Sequence, residues 1–264
     1  MAPTDQHPPV SLNGHIVSAD QPVLMHNERG FTLGDGVFDT MLVIDGEIQD
    51  PDAHFKRLLR HYAIFMCPQA PDECTLPLDT TTLKNRARAL IAAHNLSSPR
   101  FVLRTSLTAG PGGRGLRAPE SSKTTCLMAL APAPPPADET PVKAVVARDV
   151  RRNEHSPLSR IKSLNYGDQL IAYREALAGG AEEAILLNTQ GRVACTAVGN
   201  IIIVADGQWL TPPQSEGAMA GTKRAALIDD GLQETVITCE GLYSADAVYS
   251  CNAVRGLQPL EIMR

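Results

Sequence analysis

The stretch Arg160-Ile161-Lys162-Ser163-Leu164-Asn165-Tyr166 places one lysine among apolar residues at the end of a short extended run. A lysine held between such neighbours can give up its charge and attack carbonyls as a neutral amine, whereas on a solvated face it is an ordinary surface cation. A second candidate is Gly110-Pro111-Gly112-Gly113-Arg114-Gly115. Its glycines let backbone come close to a ligand, and Arg114 carries a fork of donors suited to a substrate carboxylate; the alternative is an exposed loop with a solvated arginine. The six cysteines, at 67, 74, 126, 195, 239 and 251, include no C-x-x-C pair and have no histidine ladder nearby. That spacing offers no zinc site, and no metal is expected.

A mixed set of elements must position these residues. Residues 11–17 read as a hairpin around Asn13-Gly14, and residues 40–48 as another around Asp45-Gly46. Asp52 is placed to cap a helix with apolar residues at Phe55, Leu58, Leu59 and Tyr62, and a second helix is expected over 82–94. Strand character returns at 100–107 and 125–130. The proline-rich run 131–141 cannot be helix or central strand, because its prolines remove donors and fix φ. It sets the expected boundary: a small N-terminal α+β domain over 1–131, an interdomain loop over 132–137, and a large C-terminal domain over 138–264. The latter reads as a strand at 142–147, an amphipathic helix over 166–178 stopped by Gly179-Gly180, and a strand at 183–187. A glycine-punctuated hairpin through Arg192, Asn200 and residues 201–204 follows, then a helix over 222–230 that opens just after Gly221. The fold class is α+β.

With 264 residues the chain can bury one large core or two smaller ones. A net charge of −5, with no basic run beyond the pair Arg151-Arg152, argues against a nucleic-acid partner. Residues 1–10 are polar and proline-bearing, lacking the basic-then-apolar order of a signal peptide, and no apolar run approaches the ~20 residues that span a bilayer. The expectation is a soluble cytoplasmic protein with reduced thiols and no membrane partner.

Taken in order, several blocks resemble the class IV aminotransferase family: Phe31-Thr32-Leu33-Gly34-Asp35-Gly36-Val37-Phe38, His54-Phe55-Lys56-Arg57-Leu58, Gly112-Gly113-Arg114-Gly115, Ile161-Lys162-Ser163-Leu164-Asn165, Gly199-Asn200 and Cys251-Asn252-Ala253. The resemblance covers nearly the whole chain. It implies a two-domain fold type IV pyridoxal-phosphate enzyme, a small α/β-sandwich domain plus a larger pseudo-barrel domain, working as a homodimer on small-molecule amino and oxo acids. It implies further that Lys162 forms the Schiff base with the cofactor aldehyde and moves the substrate Cα proton. Arg57 matches the arginine whose fork binds the cofactor phosphate, and Thr222 and Lys223 match positions whose backbone N–H groups hold it at a helix start. Gly199 and Asn200 belong to the same cofactor-binding set. Asn252 stands where relatives place another phosphate contact, or is a plain turn asparagine.

One departure concerns Cys195, which occupies the position of a family glutamate five residues before Asn200. That carboxylate keeps the pyridine nitrogen protonated, and a thiol with a reference pKa of ~8.5 is a poor substitute. Either the ring works neutral, another acid substitutes, or the protein reacts poorly; Cys195 is also compatible with a small buried strand residue. Phe38 lacks the tyrosine hydroxyl with which the D-amino-acid branch holds the substrate carboxylate, and Leu116 stands where that branch has a histidine, so only Arg114 remains of that trap. Gly34-Asp35-Gly36, Gly112-Gly113-Arg114-Gly115 and Cys251-Asn252-Ala253 resemble instead the aminodeoxychorismate lyase branch. The resemblance thus points to elimination of pyruvate to give 4-aminobenzoate. The alternatives are a D-amino-acid or branched-chain type transaminase, and a catalytically degenerate cofactor-binding homologue.

Overall fold

The computed structural model of the chain describes residues 8–18, 20–21, 23–94, 98–117 and 123–264, so residues 1–7 of the polar N-terminal stretch lie outside it. The chain divides into two compact units, the first comprising residues up to Ala133 together with Lys162–Leu164, the second Pro134–Ile161 and Asn165–Arg264. Among the described residues no helix is long and apolar enough to cross a membrane.

Tight turns start the first unit. Val10–Leu12 (β1) and His15–Val17 (β2) pair antiparallel around Asn13 and Gly14, whose φ values of 54° and 93° are the conformation that a two-residue hairpin turn demands. The same device joins Gly36–Ile44 (β3) to Glu47–Ile48 (β4), with Asp45 and Gly46 at 49° and 82°. With Arg100–Thr108 (β5) and Thr125–Pro132 (β6) these strands form a six-stranded sheet ordered β2-β1-β6-β5-β3-β4. A short helix, Arg29–Thr32 (α1), precedes β3.

Pro51–Met66 (α2) begins with Asp50 as N-cap and proline in the first turn, not with Asp52 as cap. Proline needs no N–H partner there, which makes residue 51 the natural start, and Asp52 pairs instead with Lys84 of Thr80–Ala93 (α3). The apolar stripe of α2 buries Phe55, Leu58, Leu59 and Tyr62, as its spacing predicts. A second buried stripe is polar: His54 and His61 are 2% and 4% exposed. Lys162–Leu164 join this unit because they pair with β3 at the end that β4 leaves uncovered, through an antiparallel bridge between Val37 and Ser163.

The second unit is built on an eight-stranded sheet ordered β12-β11-β10-β13-β14-β7-β8-β9. Its strands are Val142–Arg152 (β7), Glu183–Asn188 (β8), Val193–Thr196 (β9), Asn200–Ala205 (β10), Gln208–Thr211 (β11), Gln233–Glu234 (β12), Ala247–Asn252 (β13) and Gly256–Ile262 (β14). Pro157–Arg160 (α4), Gly167–Ala178 (α5), Thr222–Asp229 (α6) and Cys239–Ser244 (α7) complete it. Period-2 alternation splits β8 between two cores. Ile185 and Leu187 pack with Val193, Ile201 and Leu242, while Ala184 and Leu186 pack with Ala172, Ala176 and Cys195.

The close approach of β5 to β3 requires glycine at position 36. A Cβ there would lie 2.5 Å from the Leu107 carbonyl oxygen and 2.9 Å from Thr108 Cα, both rigid backbone. Gly36→Ala should therefore cost ~1–3 kcal/mol, the range for overpacking. Gly113→Ala, where an added Cβ meets nothing within 4 Å, should stay within ~0.5 kcal/mol. Denaturant titration of the two variants checks this; equal losses would contradict it.

Candidate active site

In the first unit, Lys162 lies next to the isolated bridge that joins Ser163 to Val37 of β3. Phe38 N–H donates to the Lys162 carbonyl at 2.9 Å, Leu164 N–H donates to the Gly36 carbonyl at 2.9 Å, and Lys162 N–H donates to His61 Nδ1 at 3.0 Å. The Lys162 Nζ lies 4.6 Å from the centre of the Phe38 ring, and the Arg104 guanidinium carbon lies 3.6 Å from the same centre. Phe38 thus offers an aromatic face to two cationic side chains where a tyrosine would have offered a hydroxyl.

Asp39 of β3 is fully buried and takes three charge-assisted bonds. Arg57 grips it with both ends of one fork edge, Nε to Oδ2 and Nη2 to Oδ1, each at 2.8 Å, and His54 Nδ1 donates to Oδ1 at 2.8 Å. Burial alone would raise the Asp39 carboxyl, but the His54 hydrogen bond and the Arg57 charge outweigh it and hold the group far below the ordinary carboxylate range. One edge of the Arg57 fork, Nε with Nη2, is therefore engaged by Asp39. His61, four residues beyond Arg57 and on the same face of α2, is pushed down to about 4 by burial and by the Arg57 cation, with Asp39 opposing.

Arg114 is exposed, but the base of its loop is pinned. Arg29, itself 3% exposed, pairs with Asp35 at 2.6 Å and donates to the carbonyls of Gly115 and Leu116 at 3.0 and 2.9 Å. Gly112 N–H donates to the Asn27 carbonyl at 3.0 Å. The fixed base and free-standing side chain suit an arginine that meets a ligand from a loop.

The second unit brings Gly199, Asn200, Gly221 and Thr222 together. Asn200 Nδ2 donates to the Met219 carbonyl at 2.8 Å, and a Cβ on Gly221 would lie 2.2 Å from Asn200 Oδ1. Likewise a Cβ on Gly199 would lie 2.6 Å from the Cys251 carbonyl oxygen. Gly221 is the N-cap of α6, and no side-chain cap hydrogen bond closes the helix start ahead of Thr222 and Lys223. The Lys223 side chain is exposed. Asn252 is a turn asparagine: its Oδ1 accepts from the N–H groups of Val254 and Arg255 at 3.0 and 2.9 Å.

Cys195 lies in β9, buried in the alanine-rich core, and burial pushes its thiol up, so it stays protonated at neutral pH. Arg152 and Glu183 are the charged groups acting on it. Arg152 donates from Nη2 to the Ser159 carbonyl at 2.7 Å, while its buried Nε has no hydrogen-bond partner among the described residues. Glu183 Oε1 accepts from the N–H groups of Ala184 and Ala197 at 2.9 and 3.2 Å, yet burial outweighs both and raises its carboxyl to about 7. The roles of Asp39, His61, Arg29, Arg152 and Glu183 were not legible beforehand. A lone acid inside the apolar run 37–43 and a histidine four residues after Arg57 are the signals that could have exposed two of them.

The amino-transferase class IV model matches residues 36–262. A Methanocaldococcus jannaschii protein described as a "putative branched-chain-amino-acid aminotransferase" is 27% identical over 259 residues, spanning 95% of this chain and 86% of its own. D-alanine aminotransferase of Listeria monocytogenes is 24% identical over 275 residues, spanning 95% and 86%. The crystal structure of branched-chain aminotransferase from Thermoproteus uzoniensis with norvaline superposes with a TM-score of 0.86 at 25% identity, over 97% of this chain and 87% of that one.

Removing Arg57 leaves the fully buried Asp39 carboxylate without its bidentate partner. Arg57→Ala should cost ~3–5 kcal/mol of stability even without any ligand. Arg60→Ala, on the exposed face, should cost less than ~0.5 kcal/mol. Denaturant midpoints of both variants decide it, and a small loss at Arg57 would contradict the buried pair.

Titration supplies a second expectation. Glu183 titrates at about 7 when folded and at ~4.3 when unfolded, so its stability contribution is fully present below ~4.3 and is lost as pH rises through 7. His61 is opposite: about 4 folded against ~6.5 unfolded, its contribution is present above ~6.5 and lost as pH falls through 4. Glu183→Gln keeps an acceptor for both N–H groups and removes the first slope. Relative to the unaltered protein, it should gain ~1–3 kcal/mol between pH 5 and pH 8. A difference independent of pH would contradict the raised carboxyl.

Proposed function

This chain belongs to the amino-transferase class IV family, and on that premise we propose that it eliminates pyruvate from aminodeoxychorismate to leave 4-aminobenzoate. Members of the family are pyridoxal-phosphate-dependent enzymes, and the residues present fit that group. They supply an amine for its aldehyde in Lys162, a guanidinium in Arg57, and a helix start at Gly221 with no side-chain cap hydrogen bond. When bound, pyridoxal phosphate supplies a carbonyl for the substrate amine and a conjugated ring that draws negative charge off the neighbouring carbon.

The observation that carries the choice of reaction is the buried, protonated thiol of Cys195 where a carboxylate would hold a ring proton in place. Transamination needs charge stored long enough to move a proton to a second carbon. Elimination hands it at once to a leaving group and depends less on ring protonation. Lys162 takes the proton from the substrate and returns it; its backbone bonds to Phe38 and His61 keep its Nζ beside the Phe38 ring. Arg57, the N–H groups of Thr222 and Lys223, and the Gly199-Asn200 turn hold the cofactor, and Arg114 receives the substrate carboxylate. A homodimer in the cytoplasm completes the proposal. Amino transfer between an amino acid and a 2-oxo acid is the second reading, favoured by the 24–27% identity to aminotransferases over 95% of the chain.

Incubating the protein with pyridoxal phosphate and aminodeoxychorismate should release pyruvate and 4-aminobenzoate in equal amounts. Incubation with D-alanine, or with a branched-chain amino acid, plus 2-oxoglutarate should transfer amino groups at least tenfold more slowly. Cys195→Glu, once shown by thermal melting to fold, should shift the ratio toward transfer. Fast transfer without elimination in the unaltered protein would establish the second reading.

A further inference from the structure

Lys162 is held to β3 only by an isolated bridge, in which Phe38 N–H donates to the Lys162 carbonyl and Leu164 N–H donates to the Gly36 carbonyl. So short a pairing leaves the Lys162 peptide in need of a second anchor. Its own N–H donates to His61 Nδ1, at 3.0 Å. We infer that His61 is a positioning residue that anchors the backbone N–H of Lys162 and thereby fixes where the lysine side chain leaves the chain. This rests on the proposed role of Lys162 as the reactive amine.

The arrangement works only with neutral imidazole. An Nδ1 that accepts carries no proton, so the hydrogen is on Nε2, and a second proton on Nδ1 would face a donor. His61 is buried, and the cations facing it, Arg57 and Arg60 on its own helix and Lys162 beside β3, disfavour a further charge, with Asp39 on β3 the opposing group. Arg57 and His61 stand four residues apart on one face of α2, so the helix that carries the guanidinium also sets the lysine. The histidine acts through the peptide of Lys162. Its loss should slow covalent capture of a carbonyl by the amine more than it weakens substrate binding.

Two substitutions separate this from a filler role. His61→Asn keeps an acceptor near the Nδ1 position, and His61→Leu keeps volume without one. In protein free of cofactor, amide exchange at Lys162 should speed at least tenfold in His61→Leu and stay near the original rate in His61→Asn. The rate at which added pyridoxal phosphate becomes fixed to Lys162 on borohydride reduction, read by peptide mass mapping, should fall ~10–100-fold in His61→Leu and recover in His61→Asn, as expected for a displacement near 1 Å. Should His61→Leu not fold, His61→Gln, whose oxygen lies one carbon farther out, carries the same expectation. Exchange and labelling unchanged in the acceptor-free variant would overturn the inference and leave the proposed function standing. Labelling of another lysine in the unaltered protein would overturn the proposed function, and the positioning role with it.

Discussion

A carboxylate with no water around it must be answered by cations, and Asp39 is such a group: fully buried in β3, held by Arg57 and His54. Leaving it half-paired is far more costly than never burying it. The pair therefore sets the rotation of α2 against β3, because turning the helix by one residue would withdraw both partners. Once α2 is set, His61 reaches the backbone N–H of Lys162. One ion pair in the fold interior thus governs the placement of His61 and, through it, of the Lys162 peptide.

In the second unit the charges are left less well matched. Glu183 is raised to about 7 by burial despite two backbone donors, Arg152 keeps a buried Nε without a hydrogen-bond partner among the described residues, and Cys195 stays a neutral thiol. Incomplete pairing of this kind is unfavourable for folding and concentrates where a site needs it. A carboxylate at position 195 would supply negative charge to this group; the thiol does not. The electrostatics around position 195 are thus set by Glu183 and Arg152, with the thiol contributing no charge.

Much of the architecture was legible in the sequence, and for physical reasons. Asn13-Gly14 and Asp45-Gly46 announce hairpins because few residues tolerate positive φ, and Gly179-Gly180 ends α5 because Gly180 takes φ 77°. The apolar spacing of α2 gave its core face, while its start moved from Asp52 to Pro51 because proline fits the first turn. Less legible were α7, which has under two turns, and β13 and β14, which are fixed by pairing with distant strands. Among the candidate site residues, Lys162, Arg57, Thr222 and Lys223 stood out by residue type and by resemblance. Asp39 and His61 did not, since what distinguishes them is complete burial, which one sequence does not display.

Asp39 holds α2, and α2 through His61 holds the Lys162 peptide. Amide exchange at Lys162 in Asp39→Asn tests this directly, with Leu103 in the core strand β5 as internal reference. Acceleration at Lys162 of at least tenfold, with Leu103 unchanged, is the predicted result. Equal acceleration at both positions, or none at Lys162, would show that the Lys162 peptide is held independently of the buried pair.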